Sequence, residues 1–84
     1  MKLKQEARSE QISGQTCAVL PAQNIKIPLT ETAAFLFEEL SAGERTKEQL
    51  LRALLKRFDI STVLALSEID VFLKAMTESG LIEE

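Results

Sequence analysis

Few side chains in this 84-residue sequence could carry chemistry, and none has the partners of a catalytic device. There is no histidine, so the usual general base is missing. Cys17 is the only cysteine, and a thiol nucleophile needs a base and an orienting group beside it. It sits in the apolar run Thr16-Cys17-Ala18-Val19-Leu20, which reads as a buried small hydrophobe. Glu38/Glu39 and Glu68/Asp70 are the paired carboxylates that could act as acid and base. Both pairs fall on helical segments and read as solvated surface. No group of residues has metal-ligand spacing. The expectation is a protein that is not an enzyme and takes no metal and no cofactor.

What remains is the chemistry of the backbone, and Pro28 points to it. Residues Asn24-Ile25-Lys26-Ile27-Pro28-Leu29 alternate, so Ile25, Ile27 and Leu29 share one face of a strand. Proline gives no N–H to a ladder and belongs at an edge or a strand end. Backbone groups of equal parity point to the same side. If Pro28 faces the open side, so do Asn24 and Lys26, and Ile25, Ile27 and Leu29 bond the inner neighbour. Such an edge is a template for one more strand.

The elements that must position this edge follow from local signals. Ser13-Gly14 separates two strand-permissive runs, Ala7–Ile12 and Gln15–Leu20, and reads as a hairpin turn. Pro21-Ala22-Gln23 breaks the second strand. Thr30 is a good N-cap for a first helix, with Glu31 at its positive end and Ala33, Leu36, Phe37 and Leu40 as its core stripe. Phe35 falls on the opposite side, partly exposed or covering the sheet margin, where it could also dock an enzyme. Thr46 and Gln49 have capping-box spacing and open a second helix, with Leu50, Leu51, Leu54, Leu55 and Phe58 inward. A third helix runs from about Val63 to Ser79, with Gly80 just past its end and Leu81 making the accompanying apolar contact.

The third helix carries two apolar stripes. Leu66, Ile69, Phe72, Leu73 and Met76 read as core. Leu64, Val71 and Ala75 lie roughly 140° away at 100° per residue, bordered by Glu68, Asp70, Lys74 and Glu78. Such a second stripe, next to an open strand edge, reads as a ligand contact. Extra core or an oligomer contact is the alternative.

Composition sets the frame. The length is that of a single domain, residues 1–84, with a sheet region over 1–29 and a three-helix region over 30–84. Apolar residues make up 45% and charged residues 27%, as in an ordinary globular protein. The net charge of −3 argues against nucleic-acid binding, which draws on basic patches. No apolar run approaches the roughly 20 residues of a membrane span, and the first residues do not read as a basic segment followed by an apolar one. The expected location is cytoplasmic, with neither nucleic acid nor membrane as a partner.

Several of these pieces together resemble the PqqD-like family of peptide-binding proteins, also called recognition elements for ribosomally made precursor peptides. They are Leu20-Pro21, Leu29 to Ala34, Gly43-x-Arg45-Thr46, Glu48 to Leu51, Asp70 to Leu73, and Gly80-Leu81-Ile82. Thr30 stands where the family usually has Asn, and both residues cap helices. The resemblance implies an α+β, winged-helix-like fold, with a three-stranded antiparallel sheet followed by three helices. It implies that the leader of a precursor peptide adds along the third strand, with its apolar side chains in a groove against the third helix. It also implies presentation to a modifying enzyme, often a radical SAM enzyme.

The expected peptide-binding residues are Asn24, Ile25, Lys26, Ile27, Pro28, Leu64, Glu68, Val71 and Ala75. The alternatives are a small adaptor or oligomerisation module without a peptide ligand, and a winged-helix DNA-binding domain. The latter needs basic and amide residues early in its recognition helix, where this chain has Leu64 to Glu68 and Asp70.

Overall fold

The computed structural model describes residues 1–83. Strand β1 (Lys2–Leu3) is followed by β2 (Arg8–Ile12), β3 (Gln15–Leu20), a 3₁₀ turn (Pro21–Gln23) and β4 (Ile25–Pro28). Helices α1 (Glu31–Ala42), α2 (Lys47–Arg57) and α3 (Thr62–Glu78) come next, then β5 (Ile82–Glu83). The main sheet has the order β2-β3-β4, antiparallel throughout, so the fold is α+β as the sequence predicts. None of the described helices is long and apolar enough to cross a membrane.

The β2–β3 hairpin turns at Ser13-Gly14, where both residues have positive φ (53° and 80°), as a type I′ turn requires. All three helices start on a hydroxyl cap. Thr30 accepts from Ala33, Thr46 shares a reciprocal capping box with Gln49, and Ser61 accepts from Leu64. Helix α3 ends in a Schellman motif. Leu81 N–H reaches Met76 O and Gly80 N–H reaches Thr77 O, with Gly80 at φ 76°. Leu81 is fully buried, as the accompanying apolar contact demands.

The core lies between one face of the sheet and the helices. Ala18 and Leu20 of β3 meet Leu36, Phe37 and Leu40 of α1, Leu50 and Leu54 of α2, and the stripe Ala65, Ile69, Phe72, Met76 of α3. Alternation turns Cys17 and Val19 to the other face, yet both are buried. In register they are flanked on that face by Glu10 and Pro28, and by Arg8 and Lys26. Cys17 is thus the small buried hydrophobe its context predicts.

Three local expectations are corrected, and one pairing was not anticipated. Leu66 is exposed, and Ala65 takes the core position. The buried stripe runs i, i+4, i+7, i+11 from residue 65, and Leu66 falls about 100° round from it; greater hydrophobicity made Leu66 the more obvious choice. Helix α3 starts at Thr62, because Ser61 is the cap. Asn24 precedes the strand rather than belonging to it. It closes the 3₁₀ turn in the left-handed region (φ 56°), which asparagine tolerates, and its N–H donates to Pro21 O at 3.1 Å. Finally, β1 and β5 pair antiparallel in a small second sheet, extended by Lys4 N–H to Leu81 O at 2.9 Å. Two-residue strands carry no period to read.

Candidate peptide-binding edge and groove

Strand β4 ends the main sheet, and among the described residues no strand pairs with its far side. Its parity is fixed at one end by Leu29, whose N–H donates to Thr16 O at 2.9 Å. Ile25 and Ile27, of the same parity, are turned to β3, opposite Leu20 and Ala18. Lys26 therefore turns its N–H and C=O outward, and Pro28 offers its carbonyl alone. The edge is shorter in donors than expected, since the Asn24 N–H is already used within the turn. The Gln15 side-chain amide donates to Leu29 O at 2.8 Å, and Thr30 at once caps α1. These bonds fix the point where the strand becomes a helix.

Beside this edge lies a cavity of about 130 Å³ between β4 and α3. Ile27, Pro28, Glu68, Val71 and Ala75 line it, five of the residues expected from the sequence. Val71 is 65% exposed, whereas Glu68 and Ala75 are half-buried. Ala33, Phe72 and Met76 also line it. Periodicity assigns these three to the core, and they serve as floor as well as core.

The other expected residues lie apart from this cavity. Asn24, Ile25 and Lys26 line a separate hollow with Arg8, Glu10, Val19 and Pro21. Leu64 is 47% exposed and sits one turn before Glu68 on α3, outside the lining. Val63, unremarked in the sequence, is 79% exposed at the start of α3.

A larger cavity of about 400 Å³ lies past the β4–α1 junction, lined among others by Thr16, Glu31, Phe35, Glu38, Arg57 and Phe58. Size does not decide between the two. The smaller one adjoins an unpaired strand edge and offers apolar walls with a single carboxylate. That combination suits an extended peptide: backbone bonds along the edge, side chains in the groove.

The comparisons agree with this architecture. A family model described as Coenzyme PQQ synthesis protein D (PqqD) matches residues 17–82, from within β3 to the first residue of β5. Among solved structures, the chain is similar to "TbiB1 in Complex with the TbiA(beta) Leader Peptide", with a TM-score of 0.79. That likeness covers 99% of this chain and 95% of the other at 18% identity, and it carries the fold. Among curated proteins none matches. With the family match spanning β4, the groove and all three helices, the chain belongs to the PqqD family.

Proposed function

We propose that the protein binds the leader segment of a ribosomally synthesised precursor peptide and presents it to a modifying enzyme. The leader adds as a strand to β4 and sets an apolar side chain into the groove against α3. The observation that carries this reading is the unpaired β4 edge lying directly beside an apolar cavity. Family membership supports it, as does the likeness to a structure solved with a leader peptide.

Magnitudes divide the labour. Each backbone hydrogen bond adds a net ~0.5–1.5 kcal/mol. Burying one branched or aromatic side chain adds ~1.5–3 kcal/mol. The edge therefore tolerates many sequences and the groove chooses among them. Ordering a flexible leader offsets part of the gain, so the expected affinity is moderate. The modifying enzyme is proposed as a separate protein, with a radical SAM enzyme the first to try.

The test is amide chemical-shift mapping of isotope-labelled protein with short peptides encoded beside its gene. Shifts should cluster at residues 25–28 and at Glu68, Val71 and Ala75. Shifts confined to α2 would place the site elsewhere.

A further inference from the structure

We propose that Glu68 makes the groove selective for a peptide carrying Lys or Arg on the same face as its apolar anchor, two residues from it. This deepens the peptide-binding reading and rests on it.

Glu68 is the one acidic side chain among the cavity's lining residues, and it is half-buried there. The described ion pairs engage other acids: Glu44 with the Met1 amine, Glu10 with Arg8, Asp70 with Lys47, and Glu48 with Arg52. No basic residue lines the cavity. Lys74 lies about 120° round the helix from Glu68 at 100° per residue. Lys26 alternates to the sheet face opposite Ile27.

A strand seated on β4 covers the groove and strips water from this carboxylate. A carboxylate that loses water without a partner is costly. A peptide bringing a cation offsets that cost, a neutral peptide leaves it standing, and an acidic peptide adds repulsion. Selection thus works as much by rejection as by attraction.

The spacing follows from strand geometry. A cavity of about 130 Å³ takes one apolar side chain, since a pocket of roughly 150 Å³ holds a benzene ring. The next side chain on the same face stands roughly 6.8 Å away. It falls outside a cavity that one side chain fills, and a long basic side chain there can reach back to Glu68 in the lining.

The experiment is selection of a displayed library of random 12-residue peptides against the wild-type protein and against Glu68→Gln. With wild type, Lys or Arg two residues from a large apolar residue should be enriched roughly fivefold, the scale of a partly exposed ion pair. With Glu68→Gln that enrichment should vanish while the apolar preference stays. In fluorescence anisotropy, exchanging the selected Lys for Gln should weaken binding to wild type only, and added salt should narrow the difference.

Enriched peptides without a basic preference, or a preference that survives Glu68→Gln, would overturn this inference and leave peptide binding standing. A library yielding no binder that Lys26→Pro weakens would overturn both. So would sedimentation showing a stable dimer that Val71→Asp dissolves, because a second copy would then occupy the groove.

Discussion

At the scale of single residues, the aromatic side chains separate core from margin. Phe35 and Phe58 meet edge to face, with ring centroids 5.6 Å apart and planes at 84°. The Arg57 guanidinium lies 5.0 Å over the Phe58 ring. Both rings are half-buried, whereas Phe37 is 1% exposed. Phe35→Ala should therefore cost about 1–2 kcal/mol, part of it the ring pair. Phe37→Ala should cost about 3–5 kcal/mol, as a core Phe does. Urea unfolding of the two variants checks this. Equal losses would make Phe35 a core residue and remove any docking role for it. Gly80 offers a cleaner backbone test. A Cβ there would meet only Lys4 Nζ, at 3.7 Å, so space is ample. The φ of 76° is the obstacle, and Gly80→Ala should lose about 1 kcal/mol through the left-handed backbone alone. Gly80→Asn, better suited to that region, should lose less in the same unfolding assay.

At the scale of elements, β4 is held on one side and open on the other, which makes its two parities separately testable. Lys26 turns its N–H away from β3, so Lys26→Pro removes no bond of the sheet. The variant should stay folded by circular dichroism. Its peptide affinity should fall by about 1 kcal/mol or more, one net hydrogen bond plus misfit. Unchanged affinity in a folded variant would move the binding edge away from β4. The same strand shows why some elements were legible in the sequence. Thr30, Thr46, Gly80 and Ser13-Gly14 are local punctuation, and the structure uses all four as read. Pro28 gave the open edge because proline has no donor. The β1–β5 pair was not legible, since two-residue strands lack a period and their pairing is wholly long-range. Leu66 misled because hydrophobicity does not report the angle at which a helix meets its core. Ala65, the weaker hydrophobe, sits on the right line.

At the scale of the whole molecule, the groove exists only because β4 and α3, distant in sequence, are brought together by the core beneath them. The stripe of α3 was legible as a second apolar face. Which of its residues meet β4 was not: Glu68, Val71 and Ala75 line the cavity, and Leu64 lies beyond it. A domain this small buries about 60–65% of its unfolded surface and is marginal alone. Ligand present at 100 times its Kd would add about 2.7 kcal/mol, which corresponds to a rise in Tm on the order of 10 °C. Val71→Asp uses this coupling to separate fold from function. Val71 is 65% exposed in the free protein, so an aspartate there stays hydrated. The Tm without ligand should hardly change, within the ~0.5 kcal/mol of a surface substitution. Once a peptide covers the groove, the new carboxylate loses water beside Glu68, at a cost of several kcal/mol unless it relaxes outward. The rise in Tm with peptide should therefore disappear, and titration calorimetry should show binding lost. If Val71→Asp instead melts well below wild type without ligand, the stripe belongs to the core. If it keeps the full ligand-induced rise, the peptide lies elsewhere on the molecule.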